Sequence, residues 1–306
     1  MWLQRPTYYL LKNRWQALAL TLLISCIPFA GLLGILLAAF MTLVKGAFEG
    51  ALFTIAATLG YLASFYLFNQ HDSSALITWT AVSIGVLSNV LTWAFAVMLF
   101  RKTNWSALLQ IAALLGVLAV SVIHLVYPDV ANWWATQLEQ IQQMAGALPQ
   151  GATAVVPSDQ REVINITKQY ATGLVVAAIL FNAILQLVVG RWWQTLIFAP
   201  GRLRNELQNI RLSSLAGILF MVSLGLLYWG NRVVLDMMPV LYLLVAVAGL
   251  SLVHYLFKLG HSSLTWFWLL LFYVVLIIST PVGIMLVAIL ALLDIWLDVR
   301  KRFKKV

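Results

Sequence analysis

The sequence predicts an all-α fold, a polytopic transmembrane helical bundle with both termini in the cytosol, and three observations predict it. Hydrophobic residues make up 62% of the 306-residue chain and charged residues 9%, against roughly 25% charged in a soluble domain. The apolar residues fall in long uncharged runs, most of them near the roughly 20 residues that a helix needs to cross hydrocarbon. Lys and Arg then alternate from one connection to the next, which is how inner loops are marked. Backbone in lipid must satisfy its own hydrogen bonds, so each run is read as a helix.

The first run, Ala17 to Val44, follows Arg5, Lys12 and Arg14. As one helix it would be about 42 Å long, and a single crossing would put Lys45 on the wrong side. Pro28, with Gly31 and Gly34 after it, is the natural break. The run therefore reads as a tight hairpin, from near Tyr8 to Ile27 and then Phe29–Val44 as a short second arm. The basic-then-apolar start resembles a signal peptide, but it continues into further segments and is read as uncleaved. Eight more spans follow at Gly50–Phe68, Ala75–Phe100, Trp105–Tyr127, Tyr170–Gly190, Leu212–Gly230, Met237–Phe257, Leu264–Ser279 and Val282–Leu297. The total is ten membrane segments, or eight or nine if the first run crosses differently.

The charges fix the order. Arg101 and Lys102, then Arg191, Arg202, Arg204 and Arg211, then Lys258, then Arg300, Lys301, Arg302, Lys304 and Lys305 mark inner connections and the tail. Only Arg161, Lys168 and Arg232 fall on the alternating connections, so sixteen of the nineteen basic residues lie inside. This arrangement explains the net charge of +9 by orientation and leaves no case for nucleic acid. Trp15, Trp105, Trp192, Trp193 and Trp296 near inner ends, and Tyr61, Trp79, Tyr127 and Trp229 nearer outer ends, form the interfacial aromatic belts.

Polar groups inside the runs are the candidate site residues, because each is costly in lipid. Lys45 and Glu49 fall one turn apart at an inner helix start. They can pair at i,i+4, and Gly46-x-x-x-Gly50 lets a second helix approach closely. Helix packing is one reading of them and part of a polar site the other. Asn89, with Ser88 and Thr92, makes a polar patch, and Trp93 beside it reads as a ring buried between helices. Asn182, Gln186 and Gly190 lie along one helix face at spacing four, which should face protein rather than lipid. Interhelical hydrogen bonding and solute contact both fit. Asp294 and Asp298, beside Arg300 and Lys301, read as a salt-bridged anchor. His124 and His254 stand alone near helix ends.

Two connections are distinctive. Residues 128–169 carry Val130, Trp133, Trp134, Leu138, Ile141 and Met144 at helical spacing, with amides on the other side. This outer amphipathic segment is a lid over an outward cavity or a structural cap. Pro149-Gln150-Gly151 ends it, and Ser158 after Pro157 opens a new helix as its N-cap. Residues 198–211 run Phe-Ala-Pro-Gly-Arg-Leu-Arg-Asn-Glu-Leu-Gln-Asn-Ile-Arg. Pro200-Gly201 turns the chain, and Leu203, Leu207 and Ile210 give a short amphipathic helix. Its Arg202, Arg204, Glu206 and Arg211 would contact lipid headgroups or a cytosolic or membrane protein partner.

No P-loop, His-Glu-x-x-His or Gly-x-Ser-x-Gly motif occurs. Cys26 is the only cysteine, so no zinc cluster or internal disulfide can form. The chain is therefore expected not to be an enzyme and to hold neither cofactor nor metal.

At Arg191-Trp192-Trp193-Gln194, Phe198-Ala199-Pro200-Gly201, Arg204-Asn205-Glu206 and Arg211-Leu212, the chain resembles the YybS-like family of bacterial integral membrane proteins of unknown function. Pro28-Phe29-Ala30-Gly31 to Lys45-Gly46 is similar too. That family is distantly similar to the substrate-capturing S components of energy-coupling-factor transporters. The resemblance implies a helical bundle with an outward solute site capped by a loop. The expectation is one membrane domain, 1–306, in the bacterial inner membrane, binding or moving a small-molecule solute. Its alternative is a scaffold or assembly factor that recruits cytosolic partners through the inner loop and basic tail.

Overall fold

The computed structural model describes residues 4–27, 30–68, 75–146, 158–259, 264–279 and 282–303. Every regular element among them is a helix. Five of these are long and apolar enough to cross a membrane: α4 (Ala47–Phe68), α5 (Ala75–Phe100), α6 (Trp105–Val126), α9 (Ala171–Phe198) and α12 (Arg232–Leu259). Four shorter apolar helices accompany them: α3 (Gly31–Lys45), α11 (Ser214–Tyr228), α13 (Thr265–Ile278) and α14 (Val282–Leu297). The remaining helices are α1 (Gln4–Lys12), α2 (Arg14–Ser25), α7 (Val130–Gly146), α8 (Ser158–Thr167), α10 (Arg202–Gln208) and α15 (Val299–Phe303). Pro28, Pro149-Gln150-Gly151 and Pro157, where the sequence places breaks, lie outside the described residues.

The outer faces of the long helices are apolar, as lipid requires. Along α6, Leu114, Leu118, Val122 and Leu125 line one face and are 50–80% exposed. A contiguous apolar stripe of this kind, on a helix long enough to cross a membrane, marks a surface that faces lipid. The chain is accordingly membrane-embedded.

By packing, the chain divides into two compact units. The first comprises Met1–Leu108 and Ile179–Asn209, the second Leu109–Ala178 and Ile210–Val306. In the first unit Ala17, Ile35, Ala38, Phe40, Met41, Phe53 and Ala57 form a closed apolar core. Phe40 stacks on Trp193 at 4.9 Å, and the Trp193 indole donates to Thr7 Oγ1 at 3.0 Å. A large ring at this depth thus keeps its polar handle satisfied. The first expected helix is interrupted at Asn13, whose φ of −106° and ψ of 76° are not helical.

The two glycines near Lys45 do different work. Gly46 has φ 101° and ends α3, a left-handed turn that favours glycine. Gly50 is a close approach: a Cβ there would stand 1.9 Å from Thr42 Oγ1. This corrects the expected i,i+4 pair. Because Gly46 breaks the helix, Lys45 and Glu49 belong to different elements and take different partners. Lys45 Nζ donates to the Leu11 carbonyl at 2.6 Å, and Glu49 pairs with Arg14 at 3.2 Å.

In the second unit α12 and α14 pack closely, and the chain is fixed by polar residues at both ends of α12. Asp236 is 1% exposed. Its Oδ1 accepts the Gly173 backbone N–H at 2.7 Å and its Oδ2 lies 2.8 Å from His124 Nε2. Gly173 stands in the first turn of α9, where N–H groups have no helical partner, so Asp236 caps α9 from a distant part of the chain. The Trp134 indole of α7 donates to Thr172 Oγ1 at 2.9 Å and ties the outer segment to the same helix start. Near the other end of α12, Arg300 pairs with Asp294 at 2.8 Å. It also reaches the Ile210 carbonyl at 2.8 Å and Ser251 Oγ at 3.3 Å. The expected anchor is present, with Lys301 on Asp298 at 2.8 Å beside it.

Candidate functional site

The site lies in the first unit and is built on a row of residues along α9. Asn182, Gln186, Gly190 and Gln194 recur at spacing four, so the row winds by about 40° at each step: Asn182 and Gln186 meet α5, and Gly190 and Gln194 meet α3. The sequence reading stops at Gly190; the row continues one turn to Gln194. Gly190 is closely packed against Ala39, 3.1 Å from where a Cβ would be.

The upper half of the row meets α5. Asn182 Nδ2 donates to Ser88 Oγ at 2.8 Å, Gln186 Oε1 lies 2.7 Å from Thr92 Oγ1, and Gln186 Nε2 lies 3.3 Å from Asn182 Oδ1. Thr92 Oγ1 is also 2.8 Å from the Ser88 carbonyl. A hydroxyl carries one proton, so Thr92 serves one of those two acceptors with the amides oriented this way. Turning both amides over gives a head-to-tail chain with one proton per link: Ser88 to Asn182, Asn182 to Gln186, Gln186 to Thr92, Thr92 to the Ser88 carbonyl. Amide orientation follows from the network rather than from heavy-atom positions. Asn89 faces the other way and donates to Thr58 Oγ1 of α4 at 3.3 Å. The half-buried Trp93 donates its indole N–H to the Ala47 carbonyl at 3.1 Å. Asn89, Asn182 and Gln186 thus hold three helices together, each pair contributing about 0.6–2 kcal/mol in a membrane.

The lower half of the row opens on a cavity of about 720 Å³. Asn89, Trp93, Asn182 and Gln186 do not line it; Gln194 does, about 12 Å further along α9 at 1.5 Å per residue. Its other walls come from the α5–α6 turn and from α10. Gln194 Nε2 donates to the Leu43 carbonyl at 2.7 Å. Arg191 holds the floor: its Nε donates to Glu206 Oε2 at 3.1 Å and its Nη2 to Glu206 Oε1 at 2.5 Å. This two-point pairing is the strong form of an arginine–carboxylate contact. The Trp105 indole adds a donor to Glu206 Oε2 at 3.1 Å, and Arg202 Nε adds one to Oε1 at 2.9 Å. Burial pushes the Glu206 carboxyl up; the hydrogen bonds from Arg191, Trp105 and Arg202 and the Arg191 charge outweigh it, so its pKa falls below the usual carboxylate range. Glu206 is therefore ionised at neutral pH and pins α10 to α9.

The α5–α6 turn is a Schellman motif. Thr103 N–H bonds to the Met98 carbonyl and Lys102 N–H to the Leu99 carbonyl, both at 3.0 Å. The position between helix end and turn needs a left-handed backbone, and Lys102 occupies it with φ 66°. The same motif ends α11, where Asn231 N–H bonds to Leu226 and Gly230 N–H to Leu227; there the left-handed residue is Gly230 at φ 79°. Glycine is the usual occupant, and a side chain there costs about 1–2 kcal/mol. Asn104 then caps α6 by accepting the Ala107 N–H at 2.7 Å.

The four polar residues that the sequence assigns to partner or lipid contact are split by the fold. Glu206 and Arg202 belong to the cavity cluster. Arg211 is ion-paired with Asp298 and donates to the Asp294 and Ile295 carbonyls at 2.9 and 3.1 Å, so it joins the anchor of the second unit. Arg204 alone of the four is exposed without an ion pair among the described residues. Leu203, on the apolar side of α10, is buried in protein rather than laid on a lipid surface.

Compared with protein-family models, curated proteins and solved structures, the chain matches none.

Proposed function

We propose that the chain is a multi-pass protein of the bacterial inner membrane that binds a polar solute and serves a transport-related role. One observation carries this reading: the amide row of α9 ends in the cavity lined by Gln194, Arg191 and Glu206. Gln194 joins α9 to α3 through the Leu43 carbonyl and at the same time lines the cavity, so the row of amides offers a polar group to a solute there. The YybS-like resemblance, through its distant similarity to substrate-capturing S components, supports solute binding but implies an outward site; the cavity instead lies at the Lys102–Arg202 end, which the charge pattern assigns to the cytosol. No catalytic role forms part of the proposal.

The scaffold reading draws its support from Arg204, an exposed cation on α10 with no ion pair among the described residues. One experiment separates the two. The chain is purified in mild detergent, and both co-purifying small molecules and co-purifying proteins are identified by mass spectrometry. The solute reading expects a small molecule that is retained by the wild type and lost from folded Gln194→Leu, a change in the cavity lining, with no change on Arg204→Glu. A protein retained by the wild type and lost on Arg204→Glu, with nothing small retained by either, would support the scaffold instead.

A further inference from the structure

We propose that the cavity between the α5–α6 turn, the end of α9 and α10 is a binding site for a phosphate ester. This goes beyond the solute reading, because it needs only the cavity and holds whether or not anything is transported.

The lining carries three cations, Lys102, Arg191 and Arg202, against one carboxylate, Glu206. Arg191 is almost buried and engages Glu206 at two points, which neutralises that carboxylate. Two positive charges are left over. Arg202 spends only its Nε on Glu206 and its side chain is 64% exposed, so Glu206 leaves its terminal nitrogens unused. Lys102 is exposed and makes no ion pair among the described residues. An excess of two positive charges complements a phosphate monoester, which carries about −1.5 to −2 at neutral pH, better than it complements a single carboxylate. Arginine and lysine together are also the usual phosphate donors.

The size points to an ester rather than a bare ion. About 720 Å³ lies within the roughly 300–1,000 Å³ of sites for small organic molecules. Leu43, Leu99 and Phe100 give one wall an apolar surface, and Asn104 and Asn209 give another wall amides. The phosphate would meet Lys102 and Arg202, with its organic part against the apolar wall. The monoester headgroup of phosphatidic acid and a soluble phosphate monoester share this chemistry.

Lys102 supplies the independent observation. It occupies the left-handed position of a helix-ending motif, and the matching position after α11 is Gly230. The chain thus tolerates backbone strain to put an ammonium at the rim of the cavity. Strain of this kind collects where a side chain has a task.

The test is the thermal unfolding midpoint of the full chain in neutral detergent at fixed ionic strength. It is titrated with inorganic phosphate, with glycerol 3-phosphate, and with dioctanoyl phosphatidic acid against dioctanoyl phosphatidylcholine. A saturable rise is expected with a soluble phosphate or with phosphatidic acid, and the arm that responds identifies the source. Lys102→Gly is expected to raise the midpoint without ligand, because the strain is relieved. It should also shift half-saturation about tenfold higher, the size of one lost charge-assisted contact. Lys102→Gln should weaken binding alike without the gain in stability, and Arg204→Gln, outside the cavity, should change neither. No saturable rise with any anionic probe would overturn the proposal. So would Arg204→Gln weakening the response as much as Lys102→Gln, which would make it a property of overall surface charge.

Discussion

Arg300→Ala is expected to destabilise the second unit by about 3–5 kcal/mol, the range seen when one partner of a buried ion pair is removed. Asp294 is 3% exposed and its Oδ2 accepts from Arg300 at 2.8 Å, while its Oδ1 has no hydrogen-bond partner. Without the guanidinium, a carboxylate is left in an apolar site. The Ile210 carbonyl and Ser251 hydroxyl lose a donor at the same time. Arg300→Lys keeps the charge but cannot reach three partners at once, and should recover only part of the loss. The double variant Arg300→Leu, Asp294→Leu removes both charges together and should be far milder than either single change. Unfolding midpoints of the wild type, Arg300→Leu, Asp294→Leu and the double variant in detergent close the cycle. Additive single effects would mean that the pair is not coupled.

Asp236→Ala should have the next largest effect, of about 3 kcal/mol. It orphans the Gly173 N–H in the first turn of α9 and the His124 ring nitrogen, and each buried orphan costs about 1–3 kcal/mol. Asp236→Asn separates hydrogen bonding from charge. Its carbonyl can still accept from Gly173 and its amide can still donate to a neutral His124, so it should cost no more than about 1 kcal/mol. Equal losses from Ala and Asn would assign the stabilisation to the charge and its attraction to the helix N-terminus. Protease resistance of α7 is a second readout, because Trp134 is held by Thr172 at the same helix start.

The sequence made some helices legible to the residue. The span read at Ala75–Phe100 is α5 and that read at Val282–Leu297 is α14, because charged or turn-forming residues bound a run that is uncharged in α5 and interrupted only by Asp294 in α14. The polar groups of α5 and α9 were legible too, since three amides in apolar runs stand out. What they bind was not, because that depends on which helices lie side by side. Lys45 and Glu49 show the limit most clearly. Read along the chain they suit each other, and only the backbone angle at Gly46 sends them to Leu11 and Arg14. A glycine in an apolar run looks the same whether it turns the chain, as Gly46 does, or admits a neighbour, as Gly50 does. The cavity was hidden for a similar reason. Lys102, Arg191 and Glu206 are far apart in sequence, and nothing local marks Lys102 as the left-handed residue, where glycine would have given the turn away. Gln194 could have been found by carrying the four-residue spacing of Asn182, Gln186 and Gly190 one step further.

The charge pattern predicts a helical chain threaded through the membrane so that its basic connections, and the cavity rim formed by α10, face the cytosol. A single cysteine placed at Arg204 in a Cys26→Ser chain tests this directly in bacterial cells, with a membrane-impermeant maleimide applied before and after lysis. The account predicts no modification in intact cells and full modification once the membrane is opened. Modification of the intact cells would put α10 on the outer face and contradict it.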